Sequence, residues 1–336
     1  MKKRVVFRAD GGSKIGLGHI YRCLAIAEVL KQAFDCQFII RSCLPSIEDR
    51  IQQVCSSYHI LPDSLNASNE PHYLARAVVR ATDIVVLDGY HFDTAYQERI
   101  KSTGALLVCI DDIFSYHFVA DVVINTAGGI REDFYSAAPH TRFYLGPRYA
   151  LLHPAFHQQR NQGQRKTNNK NIFICLGGAD PQNDTLKVLK RCEDMASIEQ
   201  CHLVTGAAYQ HQIALKAFLQ KTRLKVKHHQ QLSPVAMAQL MQQCSQAICT
   251  PSSIAYEYLS IGGELYLHRI ADNQDHILDY LTQSQIAFRF EQFPIEAPLK
   301  IAKARQIQKE IFNGQSATNI LQLFKTLAYA YPQSTC

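Results

Sequence analysis

Short apolar, β-branched runs alternate along this chain with longer stretches whose apolar positions recur at helical spacing. Strands are predicted at residues 4–8, Gln37–Arg41, Ile84–Leu87, Leu106–Ile110 and Val122–Ile124. Helices are predicted near 19–33, 45–56, 70–81 and 93–103. After a polar stretch the alternation resumes. Strands are expected at Ile172–Leu176, Cys201–Thr205, Val226–His228, Ala247–Cys249 and Glu264–His268, and helices at Asp184–Cys192, Ala214–Gln220, Pro234–Gln243 and Ile254–Ile261. A strand–helix alternation of this kind implies a parallel sheet covered by helices on both faces, with ligands beyond the carboxyl ends of the strands. The expected organisation is an α/β chain of two doubly wound, Rossmann-like domains. Residues 1–153 form the first domain, 154–170 a linker, 171–295 the second domain and 296–336 a helical tail.

The first strand runs into Asp10-Gly11-Gly12-Ser13-Lys14-Ile15-Gly16-Leu17-Gly18-His19-Ile20-Tyr21-Arg22-Cys23, a glycine-rich strand-to-helix loop. Such a loop approaches a ligand closely, and the helix start after it favours an anion. Two phosphate motifs fail here. A P-loop needs Gly-Lys-Ser/Thr where the chain has Gly18-His19-Ile20, and a dinucleotide fingerprint needs a small residue where it has Tyr21. His19, at the mouth of the helix, is a candidate for handling a proton near neutral pH. The plainer alternative is a turn of glycines with His19 as a helix cap.

Other strands also end in polar residues: Arg8 and Asp10; Asp88-Gly89-Tyr90-His91; Asp111-Asp112; Asn125. Half of these are expected to do no more than cap helices and close turns. In the second half Gly177-Gly178 separates a strand from a helix, and Thr250-Pro251-Ser252-Ser253 begins another. Ser252 and Ser253 suit a cap or a phosphate. Glu257 is read as lying on the first turn, where a carboxylate complements the helix dipole or accepts both hydroxyls of a ribose. His153 and His157 have metal-ligand spacing, but Pro154 and the lack of a nearby acidic ligand argue for no metal site.

Composition narrows the picture. Of 336 residues, 47% are hydrophobic and 19% charged, which describes folded domains. The formal charge of +6 suits an anionic small molecule and falls short of a nucleic-acid footprint. No apolar stretch is long enough to span a membrane, and no secretory signal precedes the first strand. Eleven cysteines without a Cys-x-x-Cys pair imply reduced thiols and a cytoplasmic setting.

Phe7-Arg8-Ala9-Asp10, the run Ile15 to Leu24, Leu176-Gly177-Gly178-Ala179-Asp180, Ser252-Ser253-Ile254-Ala255-Tyr256-Glu257 and Ala271-Asp272-Asn273-Gln274 carry a resemblance. Together they are similar to the UDP-sugar hydrolases of the pseudaminic acid pathway, which act on UDP-2,4-diacetamido-2,4,6-trideoxy-β-L-altropyranose. That family resembles in turn the GT-B glycosyltransferase that adds N-acetylglucosamine to lipid-linked muramyl peptide. The likeness covers residues 4 to about 280. It implies GT-B architecture, with the sugar and the catalysis on the N-terminal domain and UDP on the C-terminal one.

The resemblance puts the catalytic histidine at His19 and a sugar-facing tyrosine at Tyr90, beside Asp88. It puts the diphosphate near Gly177 and Gly178, the ribose on Glu257, and cleft-facing residues at Asn273 and Gln274. Arg8, Gly16, Gly18, Ser252 and Ser253 complete the expected substrate contacts, and Asp10 is expected to orient His19. Asp10-Gly11-Gly12 and Gly262-Gly263-Glu264 depart from the family pattern.

The chemistry implied is metal-independent, without a cofactor. Amides, helix termini and side chains neutralise the diphosphate, and water attacks the anomeric carbon with inversion. The expected partners are the UDP-sugar and other enzymes of the same sugar pathway, with no nucleic acid and no membrane span. Two alternatives stand beside this: a GT-B glycosyltransferase using a UDP-sugar donor, and a non-catalytic sugar-nucleotide-binding partner in the pathway.

Overall fold

The apolar runs at 84–87, 106–110 and 122–124 become the buried strands that their composition implies. In the computed structural model, which describes residues 2–12, 16–161, 170–195 and 198–330, the chain divides into two units. One comprises Met1–Gly11, His19–Leu151 and Gln315–Cys336, the other Gly12–Gly18 and Leu152–Gly314.

The first unit is built on β1 (Arg4–Ala9), β2 (Asp35–Ile40), β3 (Ser57–Ile60), β4 (Ile84–Asp88) and β5 (Leu106–Ile110), interleaved with α1 (Gly18–Leu30), α2 (Pro45–Val54), α3 (Glu70–Ala77) and α4 (Thr94–Lys101). A short ladder of β6 (His117–Phe118) and β8 (Ser136–Ala137) stands apart, while β7 (Val122–Asn125) and β9 (Arg142–Leu145) extend the main sheet. The seven main strands are parallel in the order β3-β2-β1-β4-β5-β7-β9. Val6, Ile39, Val85, Leu107 and Val123 form one face of its core. Asp93 caps α4, accepting from the Tyr96 amide at 2.8 Å.

The second unit repeats the plan. It contains β10 (Asn171–Cys175), β11 (Gln200–Thr205), β12 (Val226–Gln230), β13 (Gln246–Cys249), β14 (Glu264–Leu267) and β15 (Phe288–Arg289). These are parallel in the order β12-β11-β10-β13-β14-β15. The connecting and flanking helices are α6 (Asp184–Glu193), α7 (Gln212–Leu219), α8 (Pro234–Gln242), α9 (Ser253–Ile261) and α10 (Asp275–Gln283), preceded by α5 (Pro154–Asn161) and followed by α11 (Pro298–Ile311). In each sheet the strand order reverses once, between β1 and β4 and between β10 and β13. In open α/β sheets that reversal opens a crevice for ligand.

Three expectations need correction. Strands β3, β6, β8, β9 and β15 are not among those expected: β3 is an edge strand reading Ser-Tyr-His-Ile, mostly exposed, and β6, β8 and β15 have two residues each. The expected linker 154–170 begins with a helix, α5, which starts at Pro154 as the first helical position allows; residues 162–169 lie outside the described residues. The expected tail 296–336 is divided. Its first helix, α11, belongs to the second unit, where the Gln308 amide donates to the carbonyls of Gly263 and Ile286, both at 2.9 Å, and accepts from the Gly263 amide at 3.1 Å. Both glycines take a positive φ, 88° at Gly262 and 148° at Gly263, which favours glycine. The second, α12 (Ser316–Ala330), belongs to the first unit. It buries Ile320, Leu323, Phe324 and Leu327, with Phe324 edge-on to Phe34 at 6.3 Å. Among the described residues no helix is long and apolar enough to cross a membrane. Among the described residues ten cysteines are free thiols, nine of them buried.

Candidate functional site

In the first unit the switch point is occupied by charge. His19, one residue into α1, follows β1, and Asp88 is the last residue of β4, the strand paired with β1. His19 Nδ1 lies 2.7 Å from Asp88 Oδ1, with both side chains almost wholly buried. Arg22, one turn along α1, donates through Nε to Asp88 Oδ2 at 2.9 Å and through Nη2 to Asp88 Oδ1 at 2.6 Å. It also donates through Nη1 to Asp112 Oδ2 at 2.9 Å. Arg22 Nη2 is 2.8 Å from His19 Nδ1 as well. Nδ1 thus faces both a carboxylate, which only accepts, and a guanidinium, which only donates; we assign the His19 proton to Nδ1 on the shorter of the two contacts, that to Asp88, which makes the Arg22 approach a close contact and no hydrogen bond and leaves Nε2 with its lone pair. Burial pushes the Asp88 carboxyl up, but Arg22 and His19 outweigh it and hold it below the usual carboxylate range. Tyr90 meets the His19 ring edge-on, with centroids 4.6 Å apart.

Two predicted residues turn out to belong elsewhere. Asp10 is not the partner of His19: its Oδ2 accepts from Arg8 at 2.6 Å and its Oδ1 from the Arg41 amide at 2.9 Å. The reason is topological, since β1 has β2 on one side and β4 on the other. Asp10 turns toward β2, and the carboxylate at the end of β4 takes the histidine. Arg8 is not a surface contact either. It is fully buried, and its Nε donates to Glu70 Oε1 at 2.7 Å. Glu70 is also paired with Arg41 and accepts from the Tyr96 hydroxyl at 2.7 Å. This buried network holds Arg8 through Nε and Nη2, while its buried Nη1 has no hydrogen-bond partner among the described residues.

Gly16 exchanges two 2.8 Å backbone hydrogen bonds with Gly12; Ser13, Lys14 and Ile15 lie outside the described residues. Gly18 starts α1, and a Cβ there would meet nothing within 4 Å. Asp111 and Asn125 close turns, as expected of half the strand ends. Asp111 accepts from the Phe114 amide at 3.0 Å and Asn125 from the Ala127 amide at 2.9 Å.

The switch point of the second unit is made of backbone, hydroxyls and thiols. Gly177 has φ +86°, a conformation that favours glycine, and stands beside Thr250. Gly178 is pressed against Gly206: a Cβ on Gly206 would come within 2.5 Å of Gly178 backbone atoms. The amides at the start of α6 are capped within the loop. Asp180 accepts from the amides of Asp184 and Thr185, both at 2.8 Å. The start of α9 differs, because its N-cap Ser252 makes no side-chain cap; the Ser252 hydroxyl pairs instead with that of Thr250 at 3.0 Å. Ser253 opens α9, and Glu257 lies on its second turn, one turn later than expected. The buried Cys175 thiol, at the end of β10, is pushed up to about 12, chiefly by burial and in smaller part by Glu257. Asn273 is exposed on a single 3-10 turn, and Gln274 uses its carbonyl to accept from the Ile270 amide at 2.9 Å.

Of the expected residues, His19, Asp88 and Tyr90 come together in the first unit. Sequence reasoning missed Arg22 and Asp112 as partners, the capping role of Asp180, and Gly206. Arg22 was legible, three residues after His19 and hence on the same helix face. Gly206 carried no local signal, because its need arises from a backbone on another strand.

Two parallel sheets with the same order of winding, each with its polar residues at the switch point, define a two-domain α/β protein of the GT-B architecture. The solved structures agree. The chain superposes on MurG of Acinetobacter baumannii with a TM-score of 0.58, covering 96% of this chain and 99% of that one at 14% identity. It superposes on CalG4, the calicheamicin glycosyltransferase, with a TM-score of 0.65, covering 99% and 100% at 12% identity. In sequence it is 29% identical over 260 residues to the spore coat polysaccharide biosynthesis protein SpsG of Bacillus subtilis, over 76% of this chain and 74% of that protein. It is also 25% identical over 288 residues to the UDP-2,4-diacetamido-2,4,6-trideoxy-beta-L-altropyranose hydrolase of Campylobacter jejuni, over 83% of this chain and 96% of that enzyme. The similarity to the UDP-sugar hydrolases read from the motifs therefore extends over most of the chain. No protein-family model matches it.

Proposed function

We propose that this protein hydrolyses a UDP-linked 2,4-diacetamido-2,4,6-trideoxy-hexose in pseudaminic (nonulosonic) acid biosynthesis, releasing UDP. The observation that carries the reading is the buried Asp88–His19 pair at the switch point of the first unit; with the proton assigned to Nδ1, Nε2 serves as the base. The similarity to the Campylobacter jejuni hydrolase supports the choice of substrate. The uncapped start of α9, with Ser252, Ser253 and Glu257, supports UDP on the second unit.

In this mechanism His19 Nε2 takes a proton from water as the water oxygen bonds to the anomeric carbon. The bond from that carbon to the diphosphate oxygen breaks, and UDP leaves with the electron pair. Attack opposite the leaving group inverts the anomeric centre. Asp88 fixes the tautomer and stabilises the imidazolium that forms, and helix amides and hydroxyls offset the charge on the diphosphate. Tyr90 borders the ring that moves the proton. Asp10, consumed by Arg8 and Arg41, has no part in the step. The free thiols suit a reducing, cytoplasmic setting.

The test is an NMR time course with the UDP-sugar and no acceptor, following free UDP by phosphorus and the anomeric proton of the product. The parent protein should release UDP and an inverted sugar. His19→Ala should lose on the order of 10²–10⁴ in rate while still binding the UDP-sugar. Unchanged turnover in His19→Ala would overturn the assignment, and UDP release only when an acceptor sugar is added would make the protein a transferase.

A further inference from the structure

A base held 2.8 Å from a guanidinium is at an electrostatic disadvantage, because the neighbouring positive charge opposes proton uptake. At this site the disadvantage is compensated. Arg22 reaches past Asp88 to Asp112, the second residue after β5, and donates to its Oδ2 at 2.9 Å. Asp112 Oδ1 is buried and accepts no hydrogen bond, so this carboxylate is committed to Arg22 and to nothing else among the described residues. With His19 neutral, the trio Asp88, Arg22 and Asp112 carries one net negative charge. When His19 takes a proton the cluster becomes neutral. Without Asp112 the same proton would leave the buried cluster positive.

We propose that Asp112 is a positioning residue whose carboxylate balances Arg22, allowing Arg22 to orient Asp88 without suppressing proton uptake by His19. The charged and titratable groups around the ring are few. Arg22 comes from α1, Asp88 from the end of β4, Tyr90 from the loop after it, and Asp112 acts from beyond β5 through Arg22. Cys23, the next residue on α1, is buried and its thiol is pushed well up, by burial first and Asp88 second, so it adds no charge. The catalytic meaning of the inference rests on His19 being the base, but its measurement does not.

The experiment follows the His19 ring signals across pH by NMR in protein labelled at histidine, with a His19→Asn sample to assign them. Asp112→Asn, which keeps the shape and removes the charge, should lower the His19 titration midpoint by about 0.5–1 pH unit. Arg22→Gln should raise it by a similar amount, and the double variant should return close to the parent. The shifts should shrink as salt is added, and the acid limb of kcat/KM should move in step. A midpoint within about 0.2 unit of the parent in folded Asp112→Asn overturns the proposal, given the size expected of a charge at this range. Should Asp112→Asn fail to fold, the sign of the Arg22→Gln shift decides: a midpoint that stays or falls overturns it. A raised KM with unmoved kcat and unmoved titration would make Asp112 a substrate contact and also overturn it. If the midpoints move as expected in a protein that releases no UDP, the hydrolase reading fails and the charge balance stands.

Discussion

The two units share a winding order and differ in what they place at the point where that order reverses. The first puts ionised side chains there and buries them. His19, Asp88, Arg22 and Asp112 form one cluster, and Arg8, Glu70, Asp10 and Arg41 form another beside it. The second puts glycine backbone, serine hydroxyls and thiols there, with Asp180 spent on its own helix. The same scaffold is thus specialised in opposite ways. Buried charge fixes a proton's position at the cost of desolvation, whereas bare amides accept an anion without a counter-charge of their own.

Substitutions can break this contrast in order of effect, after His19→Ala. Glu70→Ala should be the most costly to the fold. It leaves Arg8 buried with half its partners, and breaking a buried pair from one side costs about 3–5 kcal/mol. Denaturant unfolding should show the loss in the first unit, and a loss below about 1 kcal/mol would show that the network is not a structural element.

Acid should separate the units without mutation. Glu70, Asp10 and Asp88 are each pushed up by burial, but each is held below the usual range by arginine or histidine partners. Their folded values lie below their unfolded ones, so their contribution is fully present above about pH 5 and is lost as pH falls through the folded values. Asp111, raised by burial, works in the opposite sense and cancels a part. In the second unit Glu264 is raised, chiefly by burial, and favours the fold at low pH. Hydrogen exchange at decreasing pH should therefore expose the first sheet before the second, and the reverse order would contradict this reading.

A smaller effect is expected from Gly206→Ala. Its Cβ would meet Gly178 backbone, which must shift, at a cost on the order of 1–3 kcal/mol. UDP affinity should fall in calorimetry while the His19 titration stays put. The smallest change is Tyr90→Phe, which keeps the ring edge against His19. Stability should move by less than about 0.5 kcal/mol, whereas Tyr90→Ala should lose the aromatic contact, worth about 0.5–1.5 kcal/mol.

Much of this was legible in the chain itself. β1, β4, β5 and β10 are continuous apolar runs, which only buried parallel strands explain, and their polar ends mark the rim. His19 and Glu257 were visible because each follows a glycine or hydroxyl turn at a helix start. The edge strand β3 was not visible, because one exposed face and a polar composition erase the pattern. Asp10 was assigned by nearness in sequence, but pairing across a sheet depends on which neighbour lies on which side of β1. No one-dimensional pattern records that. Arg8 misled for a similar reason: its partner Glu70 is 62 residues away.

The helix α12 has a consequence for how the molecule is made. Its residues leave the ribosome after those of the entire second unit, yet they cover Phe34 and hold Arg148, through Asn319 at 2.9 Å, in the first. The half synthesised earliest is therefore sealed last. During translation it must wait with an apolar flank open, while the later half is free to fold at once.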